Sequence, residues 1–159
     1  MARPTALSTL LALVVLLQTI VVSVIATEYR IVNGGGLGWL KNFPKGHGRP
    51  PFATPVAVDS NYASIYERWT IDHADEGYII RNVGTGYTLW AKGEEVEASS
   101  EDAQKFYIES HGSGKFTISI PNEDKLVAPG KLGPEYPYTL FLQPANGSPA
   151  QTWSFERIN

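Results

Sequence analysis

The sequence predicts an all-β domain assembled from three four-stranded repeats. Three observations lead there. Glu67-Arg68-Trp69-Thr70-Ile71, Gln104-Lys105-Phe106-Tyr107-Ile108 and Gln151-Thr152-Trp153-Ser154-Phe155 share one pattern, a long polar residue, an aromatic two places on, and a large apolar residue two beyond that. Spacing of two puts both apolar side chains on one face of a strand. A second pattern runs ahead of each: Tyr29-Arg30-Ile31-Val32-Asn33, Tyr78-Ile79-Ile80-Arg81-Asn82 and Phe116-Thr117-Ile118-Ser119-Ile120. Third, Gly and Pro interrupt the chain at short intervals, with β-branched and aromatic runs between and no long amphipathic helix. Units that recur every few tens of residues cannot bury their apolar faces alone, so three of them must close on one another.

Taken in order, the first repeat predicts strands near 29–33, 37–41, 55–59 and 68–72. The second predicts 78–82, 87–91, 95–98 and 105–109, and the third 115–120, 125–128, 138–142 and 152–157. Most connections are tight. Two are long and proline-rich: Lys41 to Pro55 and Pro129 to Pro137, whereas the matching connection around Lys92-Gly93-Glu94 is short. Insertions in a repeat map to loops, where binding function tends to sit, and prolines lower the entropy lost on docking.

The first segment reads differently. Met1-Ala2-Arg3 precedes a largely apolar run from Leu7 to Ile25, which ends on the small residues of Val24-Ile25-Ala26. That is the pattern of a secretory signal peptide, 1–26, removed to leave a domain over 27–159. A membrane anchor is the rival reading, because about 20 apolar residues span a bilayer. The short start, the lack of a following basic cluster and a strand beginning at Tyr29 favour the cleaved signal, and with it a secreted, extracellular protein free of the membrane after cleavage.

Composition narrows the chemistry. There are no cysteines, which excludes disulfide scaffolds, zinc-thiolate sites and cysteine nucleophiles. Stability must come from the core, for which four Trp, eight Tyr and six Phe are available. A net charge of −3 argues against nucleic acid, which calls for a concentrated basic face. Asn146-Gly147-Ser148 is a glycosylation sequon followed by Pro149.

Several local clusters read as structure. Arg30-Ile31-Val32-Asn33-Gly34-Gly35 looks like a trypsin-type activation site, but no Gly-Asp-Ser-Gly segment follows; a strand and glycine turn explain it. Asp72-His73-Ala74-Asp75-Glu76 gathers metal-ligating residue types where a polar turn between repeats is expected. His47 and His111 sit beside glycines without a spacing that suits a Ser-His-Asp arrangement. The acidic run Glu94, Glu95, Glu97, Glu101 and Asp102 reads as a solvated edge rather than a glycosidase pair. The sequence therefore predicts no enzyme, no catalytic residue, no metal and no cofactor.

Across 27–159 the threefold pattern with a Gln-x-Trp-like closing strand resembles the β-trefoil superfamily, which implies a six-stranded barrel capped by three hairpins. Trp69, Phe106 and Trp153 would then form one inward layer, with Ile71, Ile108 and Phe155 adjacent. The opening strands Tyr29-x-Ile31-x-Asn33-Gly34-Gly35 and Tyr78-x-Ile80-x-Asn82-Val83-Gly84, with the lack of cysteine, are similar to the fungal β-trefoil inhibitors of serine and cysteine peptidases. Those inhibitors present an exposed loop to a protease cleft. The resemblance implies a protease partner, serine type favoured and cysteine type possible, with Lys45, Arg49 and Lys131 as inhibitory-loop candidates. Arg49 suits a substrate-like position least because Pro50 follows. Plant Kunitz-type inhibitors share the fold but usually carry disulfides that this chain cannot make. The alternative is a ricin-type carbohydrate-binding module. Only Gln151-Thr152-Trp153 satisfies its Gln-x-Trp pattern, with Tyr136 or Tyr138 as a sugar platform, Gln151 beside it, and Glu123 and Asp124 as acidic residues at a different register.

Overall fold

The computed structural model describes residues 26–43, 53–60, 64–130 and 138–158. The predicted signal segment, apart from Ala26, lies outside them. Among the described residues no helix is long and apolar enough to cross a membrane.

The described residues form twelve strands, four per repeat. The first repeat holds β1 (Glu28–Asn33), β2 (Trp39–Asn42), β3 (Ala53–Asp59) and β4 (Arg68–Ala74). The second holds β5 (Gly77–Asn82), β6 (Thr88–Lys92), β7 (Glu95–Ser99) and β8 (Tyr107–Ser110). The third holds β9 (Phe116–Ser119), β10 (Lys125–Gly130), β11 (Tyr138–Pro144) and β12 (Trp153–Ile158). Each falls on a stretch predicted from alternation, with ends shifted by at most two residues. Two single 3-10 turns, Ile65–Glu67 and Pro149–Gln151, lead into β4 and β12.

The outer strands of the repeats form a closed ring. β1 pairs β4, β4 pairs β5, β8 pairs β9, β9 pairs β12 and β12 pairs β1. The remaining seam, between β5 and the start of β8, is a single bridge from Tyr78 to Phe106 whose two backbone hydrogen bonds measure 2.9 Å each. The inner strands form the hairpins β2–β3, β6–β7 and β10–β11, and β3, β7 and β11 pair in a triangle that closes one end. A six-stranded barrel with a three-hairpin cap is the β-trefoil arrangement.

Alternation explains the core. Ile31, Ile80 and Ile118 point inward from the opening strands, and Trp69, Phe106 and Trp153 from the closing segments; all six are at most 1% exposed and belong to one cluster. Ile71, Ile108 and Phe155, two residues further on, are half-buried. Burying an indole leaves its N–H in need of a partner. Trp69 Nε1 donates to the Leu40 carbonyl at 2.9 Å, and Trp153 Nε1 to the Val127 carbonyl at 3.0 Å. Both acceptors lie on the second strand of the same repeat, so each tryptophan ties its barrel strand to its own cap hairpin. The second repeat has Phe106 in this place and so has no such N–H.

Candidate functional site

The parts of the molecule that differ most between repeats are the three tips of the cap hairpins. β6 and β7 are joined by residues 93–94 alone, with Gly93 at φ +63°, where a side chain would be strained. That tip is also held down. The Leu142 N–H donates to the Glu94 carbonyl at 2.7 Å, and Lys125 Nζ pairs with Glu94 Oε1 at 3.1 Å. In contrast, residues 43–52 join β2 to β3 and residues 131–137 join β10 to β11. Lys45, Arg49, Lys131 and Tyr136 all belong to these two connections and lie outside the described residues.

Anchored strands carry both long loops. At the base of the first, Asn42 is fully buried and its Nδ2 donates to Thr85 Oγ1 at 2.7 Å, across into the second repeat. Lys41, beside it, is 6% exposed and pairs with Asp59 at 3.7 Å. At the base of the third-repeat loop the ring of Phe141 lies over Gly130, and Gln143 Nε2 donates to the Pro129 carbonyl at 3.4 Å. Tyr138, where that loop rejoins the cap, packs half-buried against the core. Sequence reasoning placed the loops but missed these anchors; the cue available was a run of polar residues, Lys41-Asn42, inside an otherwise apolar strand.

Strand register fixes where the loops emerge. Ala53 lies opposite Ser99 at the end of β7, and Tyr138 opposite Val58 near the end of β3, while Glu95 lies opposite Phe141 within β11. The described end of each hairpin thus lies beside a different neighbouring strand.

The remaining candidates sit elsewhere. Gln151 is 2% exposed and its amide is used at both ends: Nε2 donates to the Pro144 carbonyl at 2.8 Å and Oε1 accepts from the Asn146 N–H at 2.8 Å. Its position therefore serves the turn before β12. Asn146 is exposed, and its Oδ1 accepts from the Ser148 N–H at 2.9 Å. In the polar segment between the first two repeats, His73 stands edge-on to Tyr78 and Asp75 pairs with Lys105 at 3.1 Å. His111 is exposed and shares a hydrogen bond with Thr117 at 3.0 Å.

No protein-family model and no curated protein matches the chain. Solved structures do. A proteinase inhibitor from Coprinopsis cinerea is similar at a TM-score of 0.65 and 15% identity, over 86% of this chain and 100% of that one. The Rhizoctonia solani agglutinin gives 0.68 and 17%, over 86% and 98%. The ricin B-like lectin of Macrolepiota procera, solved with lactose, gives 0.62 and 16%, over 82% and 95%. At these identities the likeness is one of fold: the chain has the β-trefoil fold. The fold is compatible with both an inhibitor and a lectin, since function on a shared scaffold is carried by its loops and surface.

Proposed function

We propose that this is a secreted peptidase inhibitor, acting on serine proteases through a cap loop, with Lys45 or Lys131 entering the protease's specificity pocket. The contrast among the three hairpin tips carries this reading. Two connections are long, proline-rich and contain lysine, and they leave strands fixed by Asn42, Lys41 and Phe141, while the equivalent second tip is short and packed down. A loop on a rigid base loses less entropy when it docks, which favours tight inhibition. The similarity in fold to the Coprinopsis cinerea inhibitor supports the same reading.

The test is an inhibition panel over trypsin-, chymotrypsin- and papain-like proteases, with Lys45→Ala and Lys131→Ala prepared beside the parent. A buried lysine anchor commonly carries about 2 kcal/mol or more. One of the two variants is expected to raise the trypsin inhibition constant roughly thirtyfold, at about 1.4 kcal/mol per tenfold. Inhibition of the papain-like enzyme alone would move the target to cysteine proteases. No inhibition of any class would remove the proposal and leave the carbohydrate-binding alternative.

A further inference from the structure

Two Asn-Gly dipeptides occur in the chain, Asn33-Gly34 and Asn146-Gly147, and the fold treats them oppositely. An asparagine followed by glycine holds an electrophile and a nucleophile side by side. Its Cγ can close a five-membered ring with the main-chain nitrogen of the next residue, and glycine has no Cβ to obstruct the approach. Closure requires the side chain to turn and that N–H to be free. At Asn33 both conditions fail. The residue is 3% exposed, its Nδ2 donates to the Ala150 carbonyl at 2.8 Å, and its Oδ1 accepts from the Gly35 N–H at 3.0 Å. The nitrogen that would attack, that of Gly34, donates to the Thr152 carbonyl at 2.7 Å. At Asn146 both conditions are met. Residues 145–148 lie between β11 and the second 3-10 turn in no regular structure, and Asn146 and Gly147 are exposed. Neither the Gly147 N–H nor Asn146 Nδ2 has a hydrogen-bond partner among the described residues. Gly147 has φ +72°, and no atom lies within 4 Å of where its Cβ would be. The Asn146 side chain makes one bond among the described residues, from the Ser148 N–H to Oδ1 at 2.9 Å.

We propose that Asn146 is a site of spontaneous deamidation and that the fold protects Asn33 from the same reaction. The Gly147 nitrogen, losing its proton to hydroxide, forms a bond to Cγ of Asn146. The Cγ–Nδ2 bond breaks and ammonia leaves, which gives a succinimide. Solvent water then opens the ring. Attack at Cγ gives aspartate; attack at the main-chain carbonyl carbon gives isoaspartate, in which the chain runs through Cβ and Cγ. Nothing is oxidised or reduced. Either product adds a negative charge, and isoaspartate also lengthens the main chain by one carbon. That carbon enters the turn before β12, between the Asn146 N–H, which donates to Gln151 Oε1 at 2.8 Å, and Ser148, whose Oγ accepts from the Ala150 N–H at 3.2 Å. A glycan on Nδ2 would block the step, so the sequon and the dipeptide give Asn146 two mutually exclusive fates.

The experiment uses the full chain made in a bacterium that adds no N-glycan, incubated folded in water labelled with ¹⁸O at neutral and at mildly alkaline pH, then digested for mass spectrometry. The peptide containing Asn146 is expected to lose its side-chain nitrogen and take up one labelled oxygen, and to separate into aspartate and isoaspartate forms. Its rate should rise with hydroxide concentration. The Asn33 peptide should convert more slowly by about tenfold or more, because reaction there waits on a local opening of the fold. In urea the two peptides should convert at comparable rates. Asn146→Gln, which would have to close a larger ring, should leave that peptide unlabelled and the Asn33 rate unchanged. The proposal is overturned if Asn146 stays intact in the folded protein through an incubation that converts it in urea. Equal rates at Asn33 and Asn146 in the folded protein, or conversion of Asn146 without uptake of label, would overturn it as well.

Discussion

Asn33 and Asn82 close the first two opening strands, and both are buried with the amide nitrogen and oxygen each hydrogen-bonded to the chain itself. Asn82 Nδ2 donates to the carbonyls of Tyr66 at 2.8 Å and Arg68 at 3.2 Å, and its Oδ1 accepts from the Thr85 N–H and hydroxyl. Asn33 Nδ2 reaches the Ala150 carbonyl at 2.8 Å, and its Oδ1 accepts from the Gly35 N–H. Each asparagine thus grips the 3-10 turn of the repeat before it, the third repeat preceding the first around the ring. The fit is close: a Cβ at Gly84 would lie 2.5 Å from the Tyr66 ring. In the third opening strand Ile120 replaces asparagine, and the second repeat has no 3-10 turn for it to hold. The clamp and the turn it grips are lost together. Asn82→Ala would leave the Tyr66 carbonyl and the Thr85 donors short of this partner, while the Arg68 carbonyl keeps the Val83 N–H at 2.8 Å, at about 1–3 kcal/mol for such groups. Urea unfolding should register a drop of this size, and Asp124→Ala, exposed in the third repeat, should leave the midpoint nearly unchanged. The residue before each closing aromatic pair differs in the same way. Gln151 uses both amide ends, whereas Glu67 in the equivalent place is 1% exposed, with Oε1 held by Arg30 at 2.7 Å and Oε2 unpartnered.

At the level of the element, the closing strands combine burial with one directed hydrogen bond. Trp153→Phe keeps most of the ring contact but loses the bond to Val127, leaving that carbonyl unpaired inside; the expected cost is about 1–2 kcal/mol. Trp153→Ala removes the ring as well and should cost about 3–5 kcal/mol. Trp69 should follow the same order through Leu40. Phe106→Ala should cost less than the tryptophan-to-alanine changes, because the ring is smaller and no hydrogen bond is forfeited there. Denaturant midpoints of the five variants, taken with a common slope, check the ranking. If the phenylalanine variants proved as costly as the alanine ones, packing shape rather than the indole N–H would dominate.

For the whole molecule, no repeat is complete alone. The closing strand of the first repeat pairs with the opening strand of the second, and β12 returns to β1 through six residue pairs from Glu28 to Asn33. β1 begins only two residues after Ala26, so the ring begins almost at the predicted cleavage point. The small residues Val24 and Ala26 are those that signal peptidase reads, and the expected secreted form starts at Thr27. N-terminal sequencing of protein from the medium checks this; an intact chain retained in membranes would show an anchor instead.

By itself the sequence determined the number of strands, their approximate limits and the identity of the inward layer. Alternation is a local property: whether Trp69, Phe106 and Trp153 face inward depends on period two and on the repeat, both of which are written along the chain. The two long connections were legible for the same reason, as stretches in which the period stops. Only the tertiary structure decided which groups meet. The Gln151 amide was open to a ligand as far as the sequence went, and the fold turns it onto the backbone of Pro144 and Asn146. The pairing of β3, β7 and β11 brings together residues from all three repeats. Contacts between residues distant in the chain depend on register and side-chain volume together, and a strand's own periodicity specifies neither.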